Sequence, residues 1–469
     1  MKNKNKIRVL VPVSAPDLNA IFKNLRWADD ARALFYYMER EKWIMSKNRD
    51  YRGGIDRDSG WVSVNAKEMA DELGLSNRLK EIRDTLEPYG CLEVKRRANG
   101  NKAYTPTLYS MLYRILVPSL VNGRMYRQEF ITDFTTRMNM VNFYNRSYKK
   151  QRKEFLSKME WYRPNLEWAE KMYLDETAVA YAEAQTPKQT DTLLSNIGAF
   201  NSKTGRFISV CDFAGRIHSH VGGLNKKLRP FIRVEGEDDE LLCIDVKSAQ
   251  PYLISNLFSG KLMEHIPEFQ PIFHKISKRQ QDPSTKLFLR HCLDGTLYER
   301  LMQATGIKDR NRVKRRLFRH VLYCSASNQH KDKKVQTQRL RFQEQFKSLY
   351  RSPFETLVAL KRTRSKALPF VKELTSKRGQ GKMYATPNMI AQRLEVAIFL
   401  NMITKRLNEA GVITVTIHDA WILKKKDHKK FDRVLESVCA DMSIQVPMVH
   451  VEALNCGTYN IDHSNTEEK

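Results

Sequence analysis

Three segments of the chain carry residue types whose order could do chemistry. The first, ELLCIDVKSAQPYL, is an apolar run of Leu241, Leu242, Cys243 and Ile244 that ends in Asp245. The second, KDRNRVKRRLFRHVLYCS, reads as a helix in which Leu317, Phe318, Val321 and Leu322 pack behind a face presenting Arg310, Lys314 and Arg316 or Arg312. The third, GVITVTIHDAWILKKK, holds a β-branched strand from Val412 to Ile417, a turn at His418 and Asp419, and a return strand from Trp421 to Leu423. Singly, each is ordinary, because strand-end aspartates form turns and basic helices are usually just solvated. Strand-end carboxylate, then cationic helix, then hairpin carboxylate is the order that nucleotidyl transfer by two metal ions requires. Two carboxylates on neighbouring strands would bridge two Mg²⁺ ions, with Mn²⁺ able to substitute, to activate a 3′-hydroxyl and neutralise the leaving pyrophosphate. Lys and Arg on the helix would grip the triphosphate.

The elements that must position these groups lie in a chain of 469 residues, enough for about three domains. Lys and Arg total 81 against 53 Asp and Glu, a net charge of +28, and 41% of the residues are hydrophobic. The charge therefore sits on a chain that can bury cores, and a polyanion is the partner class it fits, nucleic acid first. The seven cysteines are scattered and never spaced as CxxC, which argues against a zinc ribbon or a disulfide framework. The start, MKNKNKIRVLVPVSAP, reads as a strand or arm, its apolar run being cut by Pro12. No stretch approaches the roughly 20 apolar residues that span a bilayer, so no membrane partner and a cytoplasmic location are expected.

An amphipathic helix is expected from about Trp27 to Lys47, with Ala31, Leu34, Phe35, Met38 and Trp43 near helical spacing. The segment from Gly60 to Tyr109 divides into strand, helix, turn, helix, strand, turn and strand, the order of a winged helix-turn-helix. Asn65 can cap a helix over Ala66 to Leu73, with Gly74 at its end, and Ser76 can cap a second from Asn77 to Glu87 that Pro88 and Gly90 stop. Leu92 and Val94, then Ala103 and Tyr104, flank an Asn-Gly turn at Asn99 and Gly100. Lys80, Arg96, Arg97 and Lys102 would line the second helix and the wing, where duplex DNA phosphates lie. From about Val117 to Thr190 the pattern is helical and carries the basic run NRSYKKQRK, either a solvated face or a phosphate-tracking one.

From about Asp212 to Leu423 the chain resembles the polymerase core of bacterial DNA polymerase I and its relatives, family A, which includes the single-subunit phage RNA polymerases. The likeness begins in AGRIHSHVGGLNKKLRPFI, through Gly215, Arg216, Ser219, Leu224 and Arg229. It implies that Arg216 contacts the primer terminus and Arg229 the template or primer backbone. Asp245 and Asp419 take the places of the catalytic, metal-binding aspartates, with the Val246 backbone as a further ligand. Arg310, Lys314 and Tyr323 fit the nucleotide-gripping helix, although the Lys to Tyr spacing is one residue longer than the family's, so Arg315 competes with Lys314. His418 falls near the primer end, and Gln392 and Arg393, in PNMIAQRLEVAIFLNMI, fall on a helix under the template. The amino-terminal module resembles those of plasmid replication initiators.

Departures accompany the likeness. Val-Lys-Ser-Ala-Gln follows Asp245, so Gln250 stands where the family's sugar-gating Glu would be, and Ala420 follows Asp419. Together with the winged-helix pattern, assigned to 1–115, the resemblance implies an α+β fold with a helical linker and thumb over 116–210 and a right-hand palm with antiparallel sheet and helical fingers over 211–469. It implies a DNA-dependent polymerase of a mobile element, phage or plasmid, with primer-template, possible duplex site and nucleoside triphosphates as partners, and deoxynucleotides as the better guess. A primase or RNA polymerase, a non-catalytic replication initiator, and a template-independent transferase are the rivals. No proofreading exonuclease is expected, since no strand-borne Asp-x-Glu set stands out. The basic stretch Lys361 to Lys382 is expected along the nucleic-acid channel, at a mobile edge, or as a solvated loop.

Overall fold

A computed structural model describes residues 7–12, 15–47, 62–65, 69–70, 73–75, 78–96, 110–115, 126–211, 214–258, 262, 266, 270, 276, 279, 281–324, 332–362 and 386–454. Two compact units are present: 1–157 with 172–208 and 223–235, and 158–171 with 209–222 and 236–469. None of the described helices is long and apolar enough to cross a membrane.

In the first unit, the amino-terminal segment forms a strand, Ile7–Pro12, paired antiparallel with Tyr126–Ile131. The second of these lies in a stretch whose sequence pattern reads as helical; its short Tyr-Arg-Gln-Glu-Phe-Ile run is held extended by its partner strand. The expected amphipathic helix spans Leu25–Lys47 and buries Ala28, Ala31, Leu34, Phe35 and Met38 at helical spacing. A three-stranded antiparallel sheet sets Ser110–Ile115 between Val62–Asn65 and Leu92–Arg96. The helix Leu79–Leu86 precedes its second strand and ends through a 3-10 turn at Glu87–Tyr89 and Gly90 at φ +65°. The strand paired with Leu92–Arg96 is Ser110–Ile115, while Ala103 and Tyr104 lie outside the described residues. Residues 97–109, with the Asn-Gly turn, and Ser76 lie outside the described residues.

The second unit is built on an antiparallel sheet in the order Val415–Ile417, Ala420–Lys424, Leu241–Val246, Val449–Leu454. Leu241–Val246 is an inner strand, and Leu241 to Ile244 are all buried. That burial accounts for an apolar run without alternation. Trp421, fully buried on the next strand, donates its Nε1–H to Thr404 Oγ1 at 2.9 Å and meets the rings of Phe399 and Phe431 at 5.3 and 5.2 Å. Burial of a side chain that size is worth about 3–5 kcal/mol against truncation. The outer strand Val415–Ile417 is closed by the helical stretch 160–170: Tyr162 accepts from the Thr416 N–H at 3.2 Å, and Asn165 donates to the Thr414 carbonyl at 2.7 Å. The hairpin is thereby anchored on both sides.

Candidate active site

The apolar strand delivers Asp245 to the end of the sheet, opposite Ala420. The Val246 N–H donates to the Asp419 carbonyl at 3.0 Å, so the two aspartates lie on neighbouring strand ends. Residues opposite each other in such a pair have Cβ atoms about 5 Å apart, with diagonal neighbours a few ångströms further. The hairpin joining Ile417 to Ala420 has only His418 and Asp419 in its turn, and His418 takes φ +56°, as a tight two-residue connection demands. Both aspartates are half-buried. The exposed His418 ring sits edge-on to His218, with centroids 5.8 Å apart.

Arg216 reaches this neighbourhood from a closed loop. The Gly215 N–H donates to the Cys211 carbonyl at 2.7 Å and the Cys211 N–H to the Arg216 carbonyl at 2.8 Å. Gly215 holds φ +77° with a Val396 methyl 3.4 Å from where a Cβ would stand, a position suited to glycine. The Arg216 guanidinium pairs with Glu395, which is 2% exposed. Burial pushes the Glu395 carboxyl up to about 7; Arg216 opposes that rise, and Asp419 adds to it. Burial also raises the Tyr323 phenol, with Arg216 opposing and Glu395 and Asp419 contributing. Arg216, Glu395, Tyr323 and Asp419 thus share one electrostatic environment. Sequence reasoning missed Glu395, yet a signal exists: it is a carboxylate on the face of Ala391, Leu394 and Ile398, all buried.

The cationic helix Arg310–Arg316 starts at Asp309, whose carboxylate accepts from the Asn311 N–H at 2.8 Å. Arg310 pairs with Glu299 at 2.8 Å and lies over the Tyr298 ring, 4.7 Å from its centroid. Ser248, at φ +54° just past the Asp245 strand, lies beside the Tyr298 hydroxyl, whose acidity burial suppresses. Gln250 Oε1 and Arg216 Nε are buried and have no hydrogen-bond partner among the described residues, and Ser248 Oγ and Tyr298 OH adjoin each other. Gln250 occupies the first turn of the helix Ala249–Asn256 that follows. Sequence reasoning missed Ser248 and Tyr298.

Lys314 and Arg315 are both exposed, and Arg315 approaches Asp309 at 3.7 Å. After Arg316 the helix widens to a π-helix over Leu317–Leu322, and the Tyr323 N–H donates to the carbonyl of Phe318, five residues back, at 2.8 Å. Arg312 and Arg316 do not share the face of Arg310 and Lys314, contrary to expectation. At about 100° per residue, Arg312 stands about 200° from Arg310.

Gln392 and Arg393 are half-buried on the helix Thr386–Glu395. Arg229 belongs to the first unit, in the 3-10 turn Lys226–Phe231. Lys80 is exposed on the helix Leu79–Leu86, and Arg96 ends the strand Leu92–Arg96; Arg97 and Lys102 lie outside the described residues. Lys361 corrects the reading of the basic stretch it begins: it is 3% exposed, donates to the Val321 carbonyl and to Cys324 Sγ at 3.1 Å, and burial lowers its pKa. It is part of the core, while 363–382 lie outside the described residues.

Among the described residues no group of three or more His, Cys, Asp or Glu side chains is arranged to cage a metal ion. The paired aspartates fit Mg²⁺ nonetheless, because that ion favours oxygen donors and is held by one or two carboxylates, waters and substrate phosphates rather than by an all-protein cage.

No protein-family model and no curated protein matches the chain. Among solved structures it is similar to the POL domain of Pol1 from M. smegmatis in complex with DNA primer-template and dNTP, with a TM-score of 0.40 and 13% identity over 60% of this chain. The match covers 55% of that structure, so the chain spans about half of its length. At that level the likeness decides no chemistry, which rests on the residues themselves.

Proposed function

We propose that the chain is a DNA-dependent nucleic-acid polymerase of the family A kind, adding deoxynucleotides to a primer 3′-hydroxyl. The observation that carries this reading is the meeting of Asp245 and Asp419 at one end of the sheet, tied by the 3.0 Å bond from Val246 to Asp419, beside buried polar atoms that lack partners. Buried donors and acceptors are nearly always satisfied, so Arg216 Nε and Gln250 Oε1 are open to hydrogen bonds from a ligand. Asp245, Asp419 and the Val246 carbonyl would hold two Mg²⁺ ions, which supply activation of the 3′-hydroxyl and neutralise the leaving pyrophosphate.

In this reading Arg310 and Lys314 hold the triphosphate, and Tyr323 packs on the incoming base. The π-helical turn between Lys314 and Tyr323 favours Lys314 over Arg315, since a π-bulge takes up one extra residue and thereby accounts for the longer spacing. Gln250 and Ser248 face the sugar, Arg216 and His418 the primer end, and Arg229, Gln392 and Arg393 the template or primer backbone. Residues 1–115 act as a duplex-binding winged helix through Lys80, Arg96, Arg97 and Lys102, with a linker and thumb over 116–210 and the palm and fingers over 211–469. Replication of a phage, plasmid or other mobile element is the setting that such a combination suits.

The test is extension of a labelled primer on a DNA template with Mg²⁺, wild type against Asp419→Ala, in parallel dNTP and NTP lanes with a no-primer control. Extension that falls about a thousandfold in the variant supports the reading. Preference for NTPs without a primer would move the assignment to a primase, a rival favoured by Gln250 standing where the family's sugar-gating Glu would be. Intact duplex binding without extension in any lane would leave a non-catalytic initiator.

A further inference from the structure

Lys361 and Cys324 form a pair that the nucleotide site does not use. Lys361 ends the helix Arg351–Lys361 and is 3% exposed; Cys324, directly after Tyr323, is 4% exposed. Lys361 Nζ donates to the Val321 carbonyl and to Cys324 Sγ at 3.1 Å. The same sulfur donates to the His320 carbonyl at 2.9 Å and accepts from Gln343 Nε2 at 3.5 Å, and Gln343 also donates to the His320 carbonyl at 2.7 Å. A buried lysine is normally matched by a carboxylate. Among the described residues none pairs with Lys361, nor with Arg339, which is 6% exposed and one helical turn before Gln343. Burial lowers the Lys361 pKa, with Cys324 opposing and Arg339 adding to the fall. The hydrogen bonds agree: an uncharged amine has two N–H bonds, which the Val321 carbonyl and Cys324 accept, whereas an ammonium would leave a third unmet among the described residues. Nζ in that form keeps a lone pair, and a desolvated lysine amine is a nucleophile.

We propose that Cys324 and Lys361 are a modification site, at which hydrogen peroxide joins the two side chains through one bridging oxygen, as Nζ–O–Sγ. The inference does not depend on the polymerase reading. In the first step the thiol and one peroxide give a sulfenic acid and water: the peroxide O–O bond breaks, the S–O bond forms, and sulfur loses two electrons. In the second, the sulfenic oxygen becomes the bridge. Its O–H bond and one N–H bond break, the N–O bond forms, and nitrogen loses two electrons to a second peroxide. That peroxide takes up both hydrogens and leaves as two waters. One oxygen atom bonded to both partners spans a gap of 3.1 Å with side-chain adjustment alone, so no cavity for a larger ligand is needed. The amine beside the sulfur also draws the thiol towards the thiolate, the form that peroxide attacks. The finished bridge ties the end of the π-helical turn, next to Tyr323, to the helix Arg351–Lys361.

The experiment treats the full chain with hydrogen peroxide, digests it, and reads the peptides by mass spectrometry, with and without dithiothreitol. The expected result is a Cys324 peptide joined to a Lys361 peptide, heavier than their sum by one oxygen less two hydrogens, about 14 Da, and separated again by dithiothreitol. Lys361→Met and Cys324→Ser should each abolish the joined species. In Lys361→Met, Cys324 should instead carry oxygen alone. Oxidation of wild-type Cys324 to a sulfinic acid with Lys361 unmodified overturns the proposal, as does a disulfide from Cys324 to another cysteine. A peroxide-treated wild type in which Cys324 and Lys361 both keep their masses overturns it equally. Should Lys361→Met not fold, the wild-type digest still decides, since fragmentation of the joined peptides must place the added oxygen between Cys324 and Lys361; a link from either residue to any other site counts against the proposal.

Discussion

Each unit buries a cluster of charged and polar groups, and the two clusters are finished differently. In the first unit, Asp29 and Asp30 are fully buried, and every carboxylate oxygen has a donor. Asp29 takes Arg32 on one oxygen and the Thr132 and Asp133 N–H groups on the other; Asp30 takes Thr136 and Arg78. Arg32 closes further on Glu129, which Arg127 also holds. In the second unit, Arg216, which pairs with Glu395, leaves its Nε without a partner among the described residues, and Gln250 Oε1 has none either. A satisfied network rigidifies and needs nothing more; an unfinished one keeps its unmet hydrogen bonds for a ligand. Buried charge alone therefore does not mark function here.

The largest effect expected from this contrast is on stability. Asp30→Ala leaves Arg78 without its buried partner and should cost about 3–5 kcal/mol in urea unfolding, with nucleotide affinity unchanged in the folded fraction. A changed nucleotide affinity would break the distinction between the two clusters.

Glu395 sharpens it through pH. Its folded pKa of about 7 lies above the ordinary 4.5, so the folded state holds the proton more tightly. Stability from that group is fully present below about pH 4.5 and is lost as pH rises towards 7. Measured in EDTA, the unfolding free energy of Glu395→Gln relative to wild type should therefore climb by about 3 kcal/mol across that window, and a flat difference would contradict the assignment.

The open cluster should also be selective about cations. Lys314→Gln should raise the nucleotide KM by about ten- to a hundredfold, the worth of a charged hydrogen bond, and Arg315→Gln by less than about threefold. The reverse ranking would mean that the π-helical turn does not restore the register. Smallest of all, Tyr298→Phe removes a buried hydroxyl whose only favourable neighbours are the Ser248 hydroxyl and Arg310, so stability should move by less than about 1 kcal/mol in either direction. Nucleotide affinity should fall about threefold; loss of stability without loss of affinity would assign the hydroxyl to the core.

What the sequence revealed and what it hid follow from range. The Asp245 strand was legible because an inner strand buried on both faces leaves a continuous apolar run, and the hairpin because β-branched residues flank a two-residue turn. Glu395, Tyr298 and Ser248 were not, since nothing local says that residues so far apart in the chain will face one another. The π-helical turn showed in the sequence only as one extra residue between Lys314 and Tyr323. Placing Arg312 with Arg310 ignored the 200° between them. Tyr126–Ile131 is extended against its local helical pattern because pairing with a distant strand outweighs local preference, and Lys361 is buried although lysine runs usually lie at the surface.

The most direct test of the central claim is Mn²⁺ binding followed by electron paramagnetic resonance, in the presence of nucleotide, for wild type, Asp245→Asn and Asp419→Asn. Bound Mn²⁺ in wild type that is largely lost in each variant, with unchanged melting temperatures, is the predicted result. Equal Mn²⁺ binding in all three proteins would show that the strand-end aspartates do not hold the metal, and the nucleotidyl-transfer site would have to be placed elsewhere.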